Sequence, residues 1–468
     1  MRPPGLALIG EHLEHWAQVV PDREALVGPS YRRTYAELQD DVLSVAAALG
    51  DRGVRAGDVV AVVTAPDEDF WQLFLAVVSL GAVWLGLNPK HTEAERAWIL
   101  GDASPELVLD LRSEPLPRAI ARRLDSRPAP SGAAALVYTS GSTGRPKGAL
   151  LPHRGFTRCA SVQADHWYDV AAPRVLVNLP VSHVGCLGDL AVSTLVVGGT
   201  VVMQPVFDAV DVLRLLASER ITTWGAVPTA FELCLRQPEW DTADLSALER
   251  IVWSGGAMPL PLARRLGQRC PRLLNCYGMT ETVGSVTFTS PTDDLESMTG
   301  TIGRVDPRYE VRLRDGEIQV RGDFLFLGYL NDPEATAAAF DEGWYRTGDL
   351  ARQRPDGSLE LIGRTTDTYK SGGYNVYPRE VELALEEHPD VQLAAVVGIP
   401  DELYGESGHA FVVARADADP EQLRHSLRDG LRDRLAGYKL PRDVTVVPEL
   451  PLLPIGKIDK QALREALT

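Results

Sequence analysis

The sequence predicts a large N-terminal domain of layered α/β subdomains with a β-rich part, followed by a small C-terminal α+β domain. Three observations lead to this fold class. Helical and strand-like patterns alternate through residues 1–253, which is typical of α/β layers. From about residue 300, short alternating runs are separated by Asp-Gly pairs, which are hairpin signals. After Gly363-Arg364 the remaining chain, about 100 residues, is long enough for a domain with its own core. We therefore predict domains over 1–364 and 365–468.

The N-terminal elements follow from hydrophobic periodicity. The segment that starts at Tyr35 has apolar residues at helical spacing, and Asp58–Thr64 is a β-branched run that resembles a buried parallel strand. Arg112–Ser131 is rich in Pro, Arg and Ser and is expected to be a surface linker. The same patterns predict strands over 174–179, 200–203, 221–226 and 248–253, and helices over 188–197 and 211–219.

After about residue 300 the sequence pattern changes from alternating helices and strands to short strands joined by turns. Hairpins are expected at Asp315-Gly316 and Asp356-Gly357. Asp332 as N-cap with Pro333 in the first turn predicts a helix start. The last domain is predicted to have helices over 378–387 and 420–435, and strands over 392–397, 410–414 and 444–447.

Composition narrows the function classes. The chain has 468 residues, 45% hydrophobic and 24% charged, as in a globular protein. Its net charge of −17 argues against general binding to nucleic acid or to an anionic membrane. The longest apolar runs, near 72–88 and 190–204, are short of a membrane span. We expect no signal peptide, and five cysteines without a CxxC pair indicate buried thiols in a reducing, cytoplasmic compartment.

Lysine is rare in this chain. It occurs at six positions, although Lys and Arg together number 47, so arginine is the default cation. A lysine here marks a place where a compact ammonium is required. Chance remains a sufficient explanation for Lys90 and Lys460.

The strongest local signal is the string LVYTSGSTGRPKG over Leu136–Gly148. A strand-like run enters a loop of glycine and hydroxyl residues that ends at Lys147. Glycine lets backbone N–H groups face an anion, hydroxyls add donors, and the lysine adds a positive charge. The string predicts a phosphate site, but not the P-loop of NTPases, because Lys147 follows Pro146 and precedes Gly148.

This loop resembles the signature loop of the adenylate-forming superfamily, which includes acyl-CoA synthetases, adenylation domains of nonribosomal peptide synthetases and beetle luciferases. The resemblance covers nearly the whole chain, because further strings follow in the family's order. They are SGGA at 254–257, NCYGMTET at 275–282, YRTGD at 345–349, GR at 363–364 and PIGKIDK at 454–460.

The resemblance implies activation of a carboxylic acid by ATP and Mg²⁺. It implies that Tyr277 lies against adenine, Thr280 contacts phosphate, Glu281 holds Mg²⁺, Asp349 and Arg364 bind ribose, and Lys457 is the adenylation lysine. Lys147, Thr280, Glu281 and Lys457 are the implied catalytic residues. The implied nucleotide site consists of Thr139, Ser140, Gly141, Ser142, Thr143, Gly144, Lys147, Gly255, Gly256, Ala257, Asn275, Tyr277, Gly278, Met279, Thr280, Asp349, Arg364 and Lys457.

Physical chemistry supports these roles. A carboxylate that attacks the α-phosphate of ATP meets like charge, so catalysis must combine positioning with cationic stabilisation. Mg²⁺, Lys147 and Lys457 can supply the positive charge, and Glu281 offers a hard oxygen ligand. Taken alone, Glu281 could be a helix first-turn carboxylate and Asp349 a turn residue. Only the occurrence of all these motifs in the family's order favours a functional role for the two residues.

In the adenylate-forming superfamily the small domain rotates between two half-reactions. The resemblance therefore implies a mobile C-terminal domain here. Ser371, Gly372 and Gly373 would then line the approach of CoA. Lys439 could contact the CoA phosphates or be a solvated surface residue. The hinge falls at Thr366 and Asp367, where the family usually has Asp or Lys first. We expect Thr366→Pro to slow thioester formation more than adenylation, because proline fixes a backbone angle that must change.

The acyl pocket is expected between 180–183 and 224–228, closed by Gly256 and 279–284. His183 resembles the gate histidine of aryl- and acyl-CoA ligases, although a helix-start histidine is an equal alternative. The acid that amino-acid-activating relatives use to pair the substrate ammonium would fall near Gly185, and no acid is present here until Asp189. A free α-amino acid is therefore not the expected substrate. The predicted lining suggests an apolar acid: His183, Trp224, Gly225, Val227, Gly256, Met279, Val283 and Gly284.

CoA is the expected acceptor, which makes the chain an acid–thiol ligase. One alternative is an acyl-AMP ligase that loads a discrete acyl carrier protein. Another, of a different class, is a nucleotide-binding regulatory protein without turnover. Lys147, Glu281, Asp349 and Lys457 argue against that last alternative, since a binding module has no need of an adenylation lysine. The sequence leaves the acid, the pathway and the oligomeric state open.

Overall fold

The computed structural model describes residues 5–121, 128–129, 131–139, 146–270, 272–415, 418–432, 434–453 and 458–467. Its α-helices, in chain order, are α1 (Ile9–Val19), α2 (Tyr35–Asp51), α3 (Glu68–Ser79), α4 (Glu93–Ala103), α5 (His153–Trp167), α6 (Ser193–Val196), α7 (Ala209–Ser218), α8 (Pro228–Leu235), α9 (Glu239–Thr242), α10 (Leu260–Arg269), α11 (Leu295–Gly300), α12 (Pro333–Ala338), α13 (Pro378–Glu386), α14 (Pro420–Arg432) and α15 (Lys460–Glu465). A π-helix spans Gly185–Val192, and 3₁₀ turns span Thr280–Thr282 and Gly437–Lys439.

The strands, in chain order, are β1 (Glu24–Val27), β2 (Arg32–Thr34), β3 (Val59–Val63), β4 (Val83–Leu87), β5 (Leu107–Asp110), β6 (Ala133–Thr139), β7 (Lys147–Pro152), β8 (Arg174–Val177), β9 (Thr200–Met203), β10 (Thr223–Ala226), β11 (Arg250–Trp253), β12 (Leu273–Met279), β13 (Gly284–Phe288), β14 (Arg304–Val305), β15 (Glu310–Arg314), β16 (Glu317–Arg321), β17 (Gly328–Tyr329), β18 (Phe340–Asp341), β19 (Trp344–Gln353), β20 (Leu359–Arg364), β21 (Tyr369–Ser371), β22 (Tyr374–Val376), β23 (Val391–Asp401), β24 (Gly405–Ala414) and β25 (Asp443–Val447).

In the part of the chain that the structure describes, these strands form four sheets. Sheet I has the order β14-β13-β12-β11-β10-β8-β9-β1-β2, and sheet II has the order β17-β7-β6-β4-β3-β5. Sheet III has the order β15-β16-β19-β18, with β20 paired to β19. Sheet IV has the order β22-β21-β24-β23, with β25 paired to β24. The central strands β8 to β12 of sheet I are parallel, so the loops after them meet at one edge.

Sheet I is covered on both faces, as its β-branched, apolar strands require. Side chains alternate between two cores along each strand. Val175 and Val177 pack in the core that contains α5 and the π-helix, whereas Leu176 packs in the core that contains α7, α8 and α10. This alternation decides which residues can line a pocket on a given face.

Most predicted elements are confirmed within a few residues. Thr34 caps α2 with a reciprocal capping box to Glu37, and Asp332 caps α12 by accepting from the Ala335 N–H at 2.8 Å. Asp315 and Gly316, at φ of 53° and 83°, form the predicted hairpin turn between β15 and β16. The predicted helix over 188–197 is instead a π-helix that begins at Gly185 and continues into α6.

Sheet IV has its own buried side chains from α13, α14 and β25, which are distinct from the cores around sheets I and II. That separation supports a domain division near residue 364, and the boundary itself stays a prediction.

None of the helices in the described ranges combines the length and the apolar character that crossing a membrane requires.

Candidate functional site

Three sheets contribute polar side chains to one cluster. Lys147 begins β7 in sheet II, Tyr277 lies near the end of β12 in sheet I, and Asp349 lies in β19 of sheet III. Residues far apart in sequence therefore meet because the ends of these strands converge. We call this group the polar cluster; its members are Lys147, Tyr277, Glu281, Tyr329, Asp349 and Arg364.

Asp349 is the most buried carboxylate of the polar cluster, with 3% of its surface exposed. The Tyr277 hydroxyl donates to Asp349 Oδ2 at 2.7 Å, and Arg364 Nε lies 2.6 Å from Oδ1. Asp349 and Arg364 are direct cross-strand partners on β19 and β20, so the sheet register fixes their contact. Burial raises the pKa of Tyr277, and the Asp349 charge raises it further, so the phenol remains a donor. The negative charge of Asp349 holds the pKa of Arg364 above its usual value.

Glu281 is held by a tyrosine that sequence reasoning missed. The Tyr329 hydroxyl donates to Glu281 Oε1 at 2.9 Å, and Lys147 Nζ lies 5.3 Å from the centroid of the Tyr329 ring. Burial and the Glu281 charge raise the pKa of Tyr329. Tyr329 therefore links the predicted phosphate lysine to the predicted metal carboxylate. Its only sequence signal is its place in the short β17 strand before the α12 start.

The turn that carries Thr280 and Glu281 is tightly constrained. The Thr282 hydroxyl donates to the Gly284 carbonyl at 2.7 Å, lies 3.0 Å from the Met279 carbonyl and accepts from the Met279 N–H. Val283 adopts φ of 58°, which is rare for a β-branched residue and marks local strain. A Cβ added to Gly278 would lie 2.1 Å from the Gly284 carbonyl oxygen, so this position requires glycine. The rigid turn fixes the direction of the buried Thr280 and Glu281.

The remaining predicted nucleotide residues lie on this edge or support it. Gly255, with φ of 78°, and Gly256 and Ala257 are exposed in the loop after β11. The Asn275 amide donates to the carbonyls of Thr301 and Met298 at 2.7 and 3.3 Å, so it braces β12. Thr139 ends β6 directly opposite Lys147. Ser140, Gly141, Ser142, Thr143, Gly144 and Lys457 lie outside the described residues.

One acyl-pocket prediction is corrected. Trp224 and Gly225 are neighbours in β10, so their side-chain positions face opposite sides of sheet I. Trp224 is fully buried against Phe231, 4.6 Å between ring centroids, in the core under α7, α8 and α10. A Cβ on Gly225 would instead approach Leu190 of the π-helix at 2.8 Å. Trp224 therefore cannot line the same pocket as Gly225.

The other predicted acyl-pocket residues surround the face of sheet I that Gly225 shares. His183 Nδ1 accepts from the Gly185 N–H at 3.0 Å, which fixes the ring at the start of the π-helix. Val227 precedes α8, next to Pro228, and Pro228 is the nearest neighbour of Gly256. Met279 accepts a hydrogen bond at sulfur from the Tyr345 hydroxyl. Gly284 faces Cys159 of α5.

In the C-terminal part, Gly372 and Gly373, at φ of 57° and 84°, form the turn between β21 and β22. Ser371 is buried at the end of β21. Lys439 Nζ lies 2.6 and 2.7 Å from the two Glu380 carboxylate oxygens. The reading of Lys439 as a solvated residue is therefore wrong. Contact with CoA stays a prediction.

The predicted hinge contacts both the strand before it and a helix near the end of the chain. Thr366 is exposed in the turn after β20, and the Asp367 N–H donates to the Arg364 carbonyl. Lys460 Nζ lies 2.6 Å from Glu382 Oε1, a side chain only 6% exposed, and 3.9 Å from Asp367. Lys460 is thus not a chance surface lysine. It joins the hinge to the helix that follows the predicted adenylation lysine.

The site has few protein ligands for a metal. The described residues contain no group of three or more His, Cys, Asp or Glu side chains that could hold an ion. Glu281 is a single hard oxygen donor beside the turn predicted to bind phosphate. Mg²⁺ is commonly held by one or two carboxylates together with waters and substrate phosphates. The donor set fits that mode and does not fit an all-protein cage.

Comparison with known proteins decides the family. Residues 13–330 match the family model described as AMP-binding enzyme, and residues 380–457 match the AMP-binding enzyme C-terminal domain. This chain belongs to the AMP-binding enzyme family. The adenylate-forming resemblance is thereby confirmed, and so is the mixed α/β fold.

The relatives of this AMP-binding enzyme are similar over nearly their whole length. A feruloyl-CoA synthase of Amycolatopsis sp is 35% identical, with 96% of each chain covered. An indoleacetate–CoA ligase of Aromatoleum aromaticum is 31% identical, with 98% of each chain covered. The structure of ATP-bound MatB from Rhodopseudomonas palustris superposes with a TM-score of 0.88 at 28% identity, over 100% of this chain and 99% of the other.

Proposed function

We propose that this AMP-binding enzyme is an ATP-dependent carboxylate–CoA ligase. It activates an organic acid as an acyl-adenylate with release of pyrophosphate, and then transfers the acyl group to the thiol of CoA. The observation that carries the proposal is the polar cluster, in which buried Asp349 and Glu281 are each held by a tyrosine. The relatives that are CoA ligases over their full length support the same activity.

The nucleotide end of the polar cluster suits a ribose. Asp349 can accept from two hydroxyl groups, and Tyr277 and Arg364 hold its oxygens in a fixed direction. Gly255, Gly256 and Ala257 leave the neighbouring loop open for a flat base beside Tyr277. We assign ribose binding to Asp349 and Arg364, and adenine contact to Tyr277 and this loop.

The phosphate end of the polar cluster suits a triphosphate. Lys147 supplies a compact positive charge beside Tyr329, and Thr280 supplies a hydroxyl from the rigid turn. Glu281 would hold Mg²⁺ through its carboxylate while Tyr329 orients it. The ion, when bound, would neutralise charge on the phosphates. Lys457 is proposed as the second lysine, which stabilises charge as the acid displaces pyrophosphate.

The second half-reaction needs access for a thiol. The Gly372-Gly373 turn leaves its backbone without side-chain cover, which suits close approach of the narrow pantetheine arm. We propose that residues 365–468 rotate about Thr366 and Asp367 to exchange Lys457 for this turn. The five cysteines are buried as thiols, which supports a reducing, cytoplasmic location.

A panel of carboxylic acids tests the proposal. Purified enzyme with ATP, Mg²⁺ and each acid should form AMP rapidly only when CoA is added, and pyrophosphate release should depend on the acid. Stimulation by a phosphopantetheinylated carrier protein but not by CoA would instead support the carrier-loading alternative. ATP binding without acid-dependent pyrophosphate release would support a regulatory protein.

A further inference from the structure

One carboxylate with a buried oxygen atom lies outside the polar cluster. Asp189 lies in the middle of the π-helix Gly185–Val192. π-Helical turns are rare and occur often at functional sites, because the extra residue changes where side chains point. The backbone carbonyl of Asp189 accepts from the Gln163 side chain at 2.7 Å and from the Ser193 hydroxyl. Its backbone is thus anchored on two sides.

The side chain of Asp189 contrasts with that of Asp349. Among the described residues, no donor lies within hydrogen-bonding distance of Asp189 Oδ1, and no cation forms an ion pair with the carboxylate. Buried polar atoms nearly always have a partner, so an orphan calls for an explanation. Burial raises the pKa of Asp189 to about 7. Although Oδ1 itself is buried, the residue keeps intermediate accessible surface, so part of Asp189 borders a space.

That space adjoins the turn that carries Thr280 and Glu281. Asp189 Oδ1 lies 3.4 Å from the Cβ position of Gly284, the residue that pairs with Met279 across β12 and β13. The next residue, Leu190, lies against the Cβ position of Gly225. Glycine at 225 and 284 allows Leu190, Cys159 and Asp189 to approach this face of sheet I closely. An acyl group whose carboxylate is at the phosphates would extend from this turn towards the accessible part of Asp189.

The surroundings of Asp189 are weakly polar. The titratable side chains that face it are Cys159, Cys276 and Tyr168. Burial raises the pKa of each to about 12, so they stay neutral. A neutral O–H donor on a ligand can bond to Asp189 in either of its protonation states. A ligand ammonium would be desolvated against one carboxyl with no other polar support, which is unfavourable.

We propose that Asp189 determines specificity by bonding a hydroxyl group carried on the ring of an aromatic or alicyclic acid substrate, at the end remote from the carboxylate. This inference rests on the proposed ligase function and deepens it. The site that orients the nucleotide would be shared with relatives, whereas this contact selects the acid.

Matched acid pairs test the proposal. The probes are 4-hydroxycinnamate with cinnamate, 4-hydroxyphenylacetate with phenylacetate, and 4-hydroxycyclohexanecarboxylate with cyclohexanecarboxylate. The parent enzyme should prefer the hydroxylated member of at least one pair by about tenfold or more in kcat/KM for pyrophosphate release. Asp189→Leu should abolish or reverse this preference. Asp189→Asn keeps an acceptor of the same shape and should retain it.

The outcomes separate the two proposals. A parent enzyme that shows no preference for any hydroxylated acid overturns the role of Asp189, whatever the variants do. An unchanged preference in Asp189→Leu, or in Asp189→Ala if the leucine variant does not fold, also overturns it. Cys159→Ala, which enlarges the same region without changing its polarity, should alter both members of a pair equally. Absence of acid-dependent pyrophosphate release with every acid would instead overturn the ligase function.

Discussion

The carboxylates of Asp349 and Asp189 differ in how the surrounding protein holds them. Asp349 accepts from Tyr277 and pairs with Arg364, so its oxygens are oriented before any ligand arrives. Asp189 is anchored through its backbone, but its Oδ1 atom has no partner in the described part of the chain. The first arrangement suits a ligand that never varies, the nucleotide. The second leaves a bond that, in our proposal, the acid substrate completes, so that the nucleotide site and the choice of acid depend on different carboxylates.

Removal of the proposed adenylation lysine should have the largest effect on the nucleotide side of this comparison. Lys457→Ala is expected to lower acid-dependent pyrophosphate exchange about 10²–10³-fold, because one preorganised cation at developing charge contributes that much. Thioester formation from supplied acyl-adenylate should change little, since the proposed rotation withdraws Lys457 in that half-reaction. Single-turnover assays of each half-reaction measure both effects. Lys90→Ala, at an exposed lysine, is the control and should match the parent.

Glu281→Gln should lower adenylation about 100-fold, because it removes a carboxylate proposed to hold Mg²⁺ while keeping the side-chain shape. The variant should also need more Mg²⁺ for half-maximal rate. Tyr329→Phe removes the hydroxyl that bonds to Glu281 and Tyr345 but leaves the carboxylate, and it should cost about tenfold or less. Equal losses in the two variants, with no change in Mg²⁺ dependence, would contradict the assignment of Glu281.

Asp189→Asn tests the state of the Asp189 carboxyl through the pH dependence of the free energy of unfolding. The pKa of Asp189 is about 7 in the folded state, against an ordinary value of 3.8. Between these values the folded state binds more protons than the unfolded state, so the parent loses stability as pH rises from about 4 to about 7. The asparagine variant lacks this loss. Its free energy of unfolding relative to the parent should therefore rise by about 2–3 kcal/mol between pH 5 and pH 8, as judged from urea unfolding. A constant difference would contradict a buried, unpaired carboxyl.

Lys460→Met should have the smallest effect, and it should be confined to the C-terminal part. Burial alone would raise the pKa of Glu382, but Lys460 and Arg379 hold it below its usual value. Without the lysine, Glu382 loses a close cation, at a cost of about 2 kcal/mol in unfolding free energy. Lys460→Arg retains the charge and should recover most of that loss. Hydrogen exchange in α13 and α15 locates the effect, and unchanged exchange there would contradict the coupling.

Local elements were predictable because their causes are local. The β-branched run of β3, the Asp332 cap of α12 and the Asp315-Gly316 turn all act through neighbouring residues. Trp224 was misplaced although the rule that corrects it is equally local, since adjacent strand residues face opposite sides. Motif resemblance supplied the candidate roles of Glu281 and Asp349.

Side-chain contacts between residues far apart in the sequence could not be predicted. The bond between Tyr329 and Glu281 joins residues 48 apart, and the pair of Lys439 with Glu380 joins residues 59 apart. Such contacts depend on how β17 reaches β7 and how α13 meets the 3₁₀ turn at 437–439. Neither leaves a periodic signal. The orphan state of Asp189 is also invisible in sequence, because it depends on which neighbours are missing.

Acid-dependent exchange of labelled pyrophosphate into ATP tests the central claim most directly. In the absence of CoA, the enzyme with Mg²⁺ and a suitable acid should catalyse this exchange, since adenylation is reversible until a thiol consumes the adenylate. Later addition of CoA should drain the adenylate to a thioester and suppress the exchange. If a broad panel of acids gave no exchange at all while ATP still bound, the polar cluster would not be an adenylation site.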